Sequence, residues 1–141
     1  MLVRLLYASR AVEPQNGEVI AGIMQQSRNH NPRNGITGVL CHSERAYLQV
    51  LEGGREAVNA LYGQILRDPR HCDVMLLQYE EINERRFACW TMGQSNLRKL
   101  NHAILLKYSA LPELDPHRMS GKNALALVDD LMACASIVSG A

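Results

Sequence analysis

The chain has 141 residues, of which 47% are hydrophobic and 21% charged, and its formal net charge is +1. This length fits one domain with an extension and is too small for two full domains. A net charge close to zero argues against recognition of nucleic acid or of an anionic membrane through bulk electrostatic attraction.

The N-terminal stretch "MLVRLLYASRAVEPQ" is apolar for only a few residues and contains Arg4. It predicts neither a signal peptide nor a membrane span, and we expect the protein to be cytoplasmic. The four cysteines are widely scattered and form no C-x-x-C pair; they are Cys41, Cys72, Cys89 and Cys134. Their spacing indicates buried free thiols rather than a zinc site or a disulfide framework.

The stretch "LVRLLYAS" is short and apolar and is followed by Pro14, Asn16 and Gly17, as expected for a buried strand that ends in a turn. Asn16 can cap a helix that runs from about Gly17 to about Asn29. The predicted helix carries an inward-facing stripe at helical spacing, formed by Ile20, Ile23, Met24 and Ser27.

The stretch "GITGVLCHSERAYLQVLEG" predicts two strands joined by a tight turn at residues 43–45. The stretch "REAVNALYGQILRDPRH" predicts a second amphipathic helix, which Pro69 ends. Two further strands follow, "CDVMLLQYEEI" and "RRFACWTMGQS", with the polar "NER" between them. After Ser95, the stretches "NLRKLNHAILLKYSAL" and "NALALVDDLMACASIV" predict two more helices.

The predicted order is strand, helix, strand, strand, helix, strand, strand. This order places two helices on one face of a mixed sheet and predicts an α+β, ferredoxin-like fold of the type βαββαββ. We expect the domain at residues 1–95 and a two-helix C-terminal extension at residues 96–141. The extension should cover the other face of the sheet, because an apolar helix and an apolar sheet face bury each other.

Two polar side chains fall among apolar neighbours on the predicted strands. Tyr7 shares a strand face with Val3 and Leu5, and Gln49 shares one with Leu51. A buried amide without partners would cost the fold roughly 1–3 kcal/mol. A phenol and an amide are natural partners in a sheet core, so the simplest interpretation is a structural Tyr–Gln hydrogen bond.

Two short polar stretches have no unique interpretation by themselves. The spacing from Ile20 to Asn31 places Asn31 on the inward stripe, just past the predicted end of the first helix. On its own, "HNPRNG" is typical of a helix stop followed by a turn. Likewise, "RDPRH" is typical of a solvated helix C-terminus.

Five short motifs together resemble, in order and in spacing, the BLUF family of blue-light photoreceptor domains, which bind flavin. They are "LLYASR", "HNPRNGITGVL", "YLQVLEG", "RDPRH" and "RRFACWTM". The resemblance covers about residues 1–95. The remaining residues are similar to the two-helix tail of short, single-domain members, which carry no attached enzymatic domain.

The resemblance implies that a flavin ring lies between the two helices, with Ile23 and Ile65 on its two sides. Asn31 would bind the polar edge of the ring, and Gln49 would lie between Tyr7 and that edge. The full set of cofactor-binding residues that the resemblance implies is Tyr7, Ser9, Ile23, His30, Asn31, Gln49, Ile65, Arg67, Asp68 and His71.

The outer members of this set would contact the more distant parts of the cofactor. His30 would reach the ring edge, and Arg67, Asp68 and His71 would lie near the ribityl and phosphate end. The sequence contains no G-x-G-x-x-G fingerprint, since "LEGGRE" lacks that spacing. The resemblance implies FAD as the cofactor, and FMN and riboflavin are alternatives that the sequence does not separate.

The resemblance also implies a photochemical mechanism in which no substrate is turned over. Light excites the flavin, Tyr7 gives it an electron, and a proton follows through Gln49. The Gln49 side chain is left rearranged, with a new hydrogen bond to the flavin that shifts its absorption to the red. The output would pass through the last predicted strand, where Trp90 and Met92 share a face. Ordinary core packing is the alternative interpretation of these two residues.

Two other functional classes stay open. An acylphosphatase-type enzyme has the ferredoxin-like strand order, but it needs a phosphate-cradling loop after the first strand. Here that loop, "ASRAVEPQNGE", holds the single arginine Arg10 and no glycine cluster. The second alternative is a regulatory module that binds another small ligand.

The apolar residues of the extension bear on the partners. A lone short helix cannot hide the surface of "ALALVDDLMACASIV", so we expect self-association into at least a dimer. A light sensor of this kind also implies a downstream protein partner. Neither nucleic acid nor a membrane is an expected direct partner.

Overall fold

The computed structural model describes residues 1–13, 17–98 and 102–139. The elements of the first part of the chain are β1 (Leu2–Ala11), α1 (Glu18–Asn34), β2 (Thr37–His42), β3 (Ala46–Gly54), α2 (Arg55–Leu66), β4 (His71–Ile82) and β5 (Gly93–Asn96). The extension adds α3 (His102–Tyr108), a 3-10 turn (Pro116–Arg118), α4 (Gly121–Ala133) and β6 (Val138–Ser139).

The strands form one mixed sheet in the order β4-β1-β3-β2-β5-β6. Neighbouring strands are antiparallel except β2 and β5, which are parallel. The central strand β3 is buried along nearly its whole length. The α+β fold that the sequence predicted is confirmed, and β6 adds a short sixth strand that the sequence did not predict.

Each face of the sheet carries its own apolar cluster. The helices α1 and α2 pack on one face, in a cluster that includes Val3, Leu5, Met24, Leu51 and Val58. The extension covers the opposite face, in a cluster that includes Leu6, Leu48, Val50, Leu127, Val128 and Leu131. The predicted covering of the second face is therefore confirmed.

Helix α1 is longer than the sequence predicted, since it continues past Asn29 to Asn34. Pro32 removes only one hydrogen-bond donor near the end of the helix, and the last turn is still closed by the Gly35 N–H, which donates to the Asn31 carbonyl. Gly35 has a φ of 65°, the left-handed conformation that glycine adopts without steric cost. Asn31 therefore lies in the last turn of α1 and not beyond it.

The last predicted strand of the domain is much shorter than expected. The sequence predicted a strand over residues 85–95, but β5 begins only at Gly93. The cause is the buried carboxylate of Glu52, which accepts hydrogen bonds from the backbone N–H groups of Arg86 (3.1 Å) and Phe87 (2.8 Å). Those donors are consequently unavailable to a strand ladder, and the chain turns before it joins the sheet.

Trp90 and Met92 consequently lie before β5 and not within a strand. They also lie on different faces of the sheet. Met92 belongs to the cluster under α1 and α2, whereas Trp90 packs against the cluster under the extension. The expectation that the two residues alternate onto one face is wrong, because that expectation required an extended strand.

The helices of the extension are shorter than the sequence predicted. Helix α4 ends at Ala133, Ala135 adopts a left-handed φ of 55°, and Val138 lies in β6 instead of in the helix. Residues 99–101 of the first predicted helix, and the predicted cap Asn16, lie outside the described residues. In the described ranges, no helix is both long enough and apolar enough to cross a membrane.

All four cysteines are free, but only Cys41 is buried as expected. Burial raises the pKa of the Cys41 thiol to about 12, so this group stays protonated. Cys72, Cys89 and Cys134 are exposed, because they lie on the edge strand β4, in the turn before β5, and after the end of α4.

An ion pair lies in the interior of the sheet. The Arg4 Nε atom donates to the Glu52 carboxylate at 2.8 Å, and the two side chains are 5% and 0% exposed. A second guanidinium nitrogen of Arg4 contacts the more exposed Glu80 at 2.8 Å. Glu52 therefore neutralises a buried cation and also holds the segment that precedes β5.

We expect Glu52→Ala to lower the free energy of unfolding by roughly 3–5 kcal/mol, because it removes the buried partner of Arg4. The matched control is Glu81→Ala, whose ion pair with Arg55 is exposed and should contribute about 0.5 kcal/mol or less. Urea unfolding of both variants measures the difference. Equal losses would contradict a structural role for Glu52.

Candidate functional site

A cavity opens between α1 and α2, with the sheet as its floor. The empty space within it and in front of its mouth, with open solvent included, is about 690 Å³. Its apolar walls come from Ile23, Leu40, Leu61 and Ile65. The polar and charged groups that line it include His30, Asn31, Gln49, Gln64, Asp68, Arg70 and His71.

Tyr7 and Gln49 meet at the floor of the cavity. They lie directly opposite each other in the antiparallel pair β1–β3, and the Tyr7 hydroxyl donates a hydrogen bond to Gln49 Oε1. The Gln49 Nε2 atom in turn donates to Met92 Sδ at 3.3 Å. The side chains of Tyr7, Gln49 and Met92 are all buried, at 3%, 5% and 2% exposure. The predicted Tyr–Gln hydrogen bond is thus confirmed, and both the oxygen and the nitrogen of the Gln49 amide are hydrogen-bonded.

The surroundings of Tyr7 keep its phenol neutral. Burial raises the pKa of Tyr7 above its usual value, and the nearby Tyr62 and Asp68 act in the same direction. The phenol therefore retains its proton and points it at Gln49.

Asn31 also fixes the segment before β5. Its side chain is almost fully buried, and its Nδ2 atom donates to the Thr91 carbonyl at 2.7 Å. Because Gln49 bonds the adjacent Met92, two side chains that line the cavity hold two successive residues of this segment. Both side chains therefore contact the segment that leads directly into β5.

His71 connects the end of α2 to β1. Its Nε2 atom lies 2.8 Å from the Ile65 carbonyl, which can only accept, so this nitrogen is the donor. In the neutral ring, Nδ1 then accepts from the Ser9 hydroxyl at 2.9 Å. His71 lines the cavity, whereas Ser9 lies behind it and orients the ring.

The mouth of the cavity carries a different arginine from the one that the sequence indicated. Arg67 follows the end of α2 on the exposed surface and is not among the lining residues, whereas Arg70 is. The Arg70 Nε atom donates to Asp68 at 3.0 Å, and its Nη2 atom donates to Gln26 of α1 at 2.7 Å. Arg70 therefore links the end of α2 to α1 across the mouth.

Asp68 and Arg70 stabilise each other's charge. Burial opposes ionisation of Asp68, but the hydrogen bonds from Arg70 outweigh it and leave the pKa of the carboxyl below its usual value. The same hydrogen bonds raise the pKa of Arg70. Both groups are therefore charged at neutral pH.

Several lining residues were not predicted. The lining residues that sequence reasoning missed are Gln26, Ser27, Leu40, Tyr47, Leu61, Gln64 and Arg70. Tyr47 could have been included, since strand alternation places it on the same face as Gln49. Arg70 lies in the "RDPRH" motif itself, but the choice between its two arginines requires knowledge of where α2 ends.

The cavity fits a flat heteroaromatic ring. Such a ligand needs opposed apolar walls and a few fixed donors and acceptors, and Ile23 and Ile65 supply the walls while Asn31 and Gln49 supply the polar groups. Charged groups gather at the mouth, where a polar ligand tail would emerge. Among the described residues, no cluster of His, Cys, Asp or Glu is arranged to hold a metal ion.

Comparison with known proteins agrees with this geometry. The family model described as "BLUF: Sensors of blue-light using FAD" matches residues 2–93. The photoactivated adenylate cyclase subunit beta of Euglena gracilis is 36% identical over 92 residues, which is 64% of this chain and 11% of that protein. The chain thus spans about a tenth of the length of the curated cyclase relatives that it matches.

Two solved structures are similar over almost the entire chain. The dark-state structure of BlrB, a BLUF protein, has a TM-score of 0.80 and 33% identity, with 95% of this chain and 96% of that chain covered. BlsA in its photo-activated state has a TM-score of 0.82 and 31% identity, with 94% and 95% covered. With the family model matched from β1 to the start of β5, this chain belongs to the BLUF family, the sensors of blue-light using FAD.

Proposed function

We propose that this chain senses blue light through a flavin held in the cavity between α1 and α2. The observation that carries the proposal is the buried Gln49 amide, which lines the cavity and is bonded to Tyr7 at one end and to Met92 at the other. When bound, the flavin supplies the absorption of blue light and the capacity to take up an electron. The chain's own residues supply the switch.

Tyr7 is the residue proposed to give up the electron and the proton. Its hydroxyl already points at Gln49 Oε1, so the path of the proton exists before illumination. The raised pKa of the buried phenol keeps this proton in place in the dark.

Gln49 is the residue whose hydrogen bonds are proposed to differ between the dark state and the illuminated state. Its amide has two unlike ends: the oxygen accepts from a phenol, and the nitrogen donates to a thioether, which is a weak acceptor. Reversal of the amide exchanges these ends. Reversal therefore breaks both hydrogen bonds: it removes the weak bond to Met92, and it places the amide N–H groups where the oxygen had accepted from Tyr7.

The other cavity residues are proposed to hold the cofactor. Ile23 and Ile65 enclose the ring, Asn31 and His30 lie at its polar edge, and Ser9 orients His71. Asp68, His71 and Arg70 lie toward the mouth, where the ribityl and phosphate groups would emerge. Arg70 replaces Arg67 in this role, because Arg67 does not line the cavity.

We further propose that the protein is cytoplasmic, which the free thiols support, and that it passes its signal to a separate protein. It would act as an oligomer. Exposed apolar side chains on the extension support this proposal, namely Leu106, Leu111 and Met132.

The purified protein should carry a non-covalent, oxidised flavin. Its absorption should shift reversibly to the red under blue light, because Gln49 gains a new partner at the ring edge. Absorption spectra before and after illumination, followed by denaturation to release the flavin, test both parts. Well-folded, flavin-supplemented protein that releases no flavin would contradict the proposal.

Gln49→Leu should bind flavin and lose the red-shifted form, because no amide remains to exchange its hydrogen bonds. Gln78→Leu is the matched control: Gln78 lies on β4 and packs against Gly121 on the extension side of the sheet, and no described residue bonds its buried oxygen. The control should keep the light response. A purely structural Gln49 predicts instead a loss of about 1–2 kcal/mol of stability with photochemistry intact.

Tyr7→Phe should keep the ring and the packing but lose the same light response, because the phenolic proton and the readily oxidised ring are gone. Flavin content and the light-minus-dark spectrum are the measurements. A wild-type red shift in this variant would mean that a residue other than Tyr7 donates the electron.

Light scattering at micromolar concentration should report at least a dimer for the wild-type protein. Leu106→Glu should shift the protein toward the monomer, because it places a charge on the exposed apolar surface of α3. Leu66→Glu, at a comparably exposed position on α2, should leave assembly unchanged. A monomeric wild-type protein would refute the self-association.

A further inference from the structure

The last strand, β6, is a short strand at the edge of the sheet. Among the described residues, two pairs join it to β5, namely Gly93 with Ser139 and Gln94 with Val138. Val138 is 57% exposed, whereas the preceding Ile137 is 8% exposed and belongs to the apolar cluster under the extension. Residues 137–139 are called the strap below.

One buried side chain anchors the strap. A Cβ atom placed on Gly93 would lie 2.6 Å from Ile137 Cγ2 and 3.0 Å from Trp90 Cγ, so these two side chains occupy the space that a larger residue would need. Ile137 thus rests directly on the backbone of the first residue of β5. Any shift of Gly93 moves the surface on which Ile137 packs.

Gly93 follows Met92, whose sulfur accepts the hydrogen bond from Gln49. The preceding Thr91 carbonyl accepts from Asn31. The chain of contacts therefore runs from the cavity floor through Met92 and Gly93 to Ile137. It is continuous and consists of buried neighbours.

The attachment of the strap is also weak. Between residues 137 and 139 it pairs with a single neighbouring strand, it lies at the sheet edge, and its connection to α4 passes through Ala135 in a left-handed conformation that only glycine adopts at no cost. The packing of Ile137 against Gly93 is therefore an important part of this attachment.

We propose that the strap is a light-released contact: it is docked on β5 while Gln49 bonds Met92, and it undocks when the Gln49 amide reverses. This inference rests on the proposed function, and it adds the element that carries the signal out of the domain. Undocking frees the edge of β5 and the end of α4 together, because the strap connects them.

Hydrogen–deuterium exchange on the full, flavin-loaded chain tests the inference. Backbone amides of residues 136–139 should exchange roughly tenfold faster under continuous blue light than in the dark, because the two-residue ladder opens. The absorption spectrum is recorded on the same sample. A red shift with unchanged exchange at the strap overturns the inference and leaves the proposed function standing, whereas the absence of a red shift overturns both.

Gly93→Ala should produce the released strap in the dark, because the added Cβ collides with Ile137 and Trp90. Gly54→Ala is the matched control, since a Cβ at Gly54 meets no atom within 4 Å, and its strap should exchange at the wild-type dark rate. If Gly93→Ala binds flavin and its strap exchanges at the wild-type dark rate, the inference is wrong.

Ile137→Ala gives a second test that introduces no collision. It removes the side chain that anchors the strap. The amides of the strap should therefore exchange fast in the dark, and light should increase their exchange rate only slightly. Gln49→Leu should show no light-dependent change at residues 136–139. Light-dependent release in Gln49→Leu, or a strap in Ile137→Ala that stays protected in the dark, would each overturn the inference.

Discussion

Strand β3 is buried along nearly its whole length, so each polar side chain on it must find hydrogen-bond partners inside the protein. Gln49 finds Tyr7 on β1 and Met92 in the segment before β5. Glu52 finds Arg4 on β1 and two backbone N–H groups at the beginning of the same segment. One strand thereby holds the connection between β4 and β5 at two points, its middle and its last residue. The cavity is built against the side of that strand where Gln49 lies.

Residue patterns were sufficient to predict the parts of the fold that depend on local periodicity. Alternation along β1 and β3 placed Tyr7 and Gln49 among apolar residues on the same face of the sheet, where the register makes them direct neighbours, whereas a slip of one residue would move one of them to the opposite face. The end of α1 and the start of β5 were not predictable in this way. The end of α1 is set by the left-handed Gly35, because the helix tolerates Pro32 in its last turn, and the start of β5 depends on a long-range contact from Glu52 to Phe87 that overrules the local signal.

Similar reasoning separates the predictable and unpredictable parts of the site. The apolar walls at Ile23 and Ile65 follow from helical spacing, since an inward stripe on each helix must face the sheet. The charged residues at the mouth do not follow from spacing, because one residue of difference in the end of α2 decides whether Arg67 or Arg70 turns toward the cavity. The face of the sheet against which Trp90 packs likewise depends on the turn before β5, which no local sequence pattern indicated.

The parallel pairing of β2 with β5 also bears on how the chain acquires its structure. Val39 pairs with Gly93 across a long stretch of sequence, while β2 and β3 are joined by a tight turn. Contacts of high sequence separation are slow to form, because loop closure precedes any gain from pairing. We expect the β2–β3 hairpin to form early and β5 to join late. A newly made chain would then pass through a stage in which Gln49 has no sulfur to bond, and the competence to respond to light is acquired with the last strands to join the sheet.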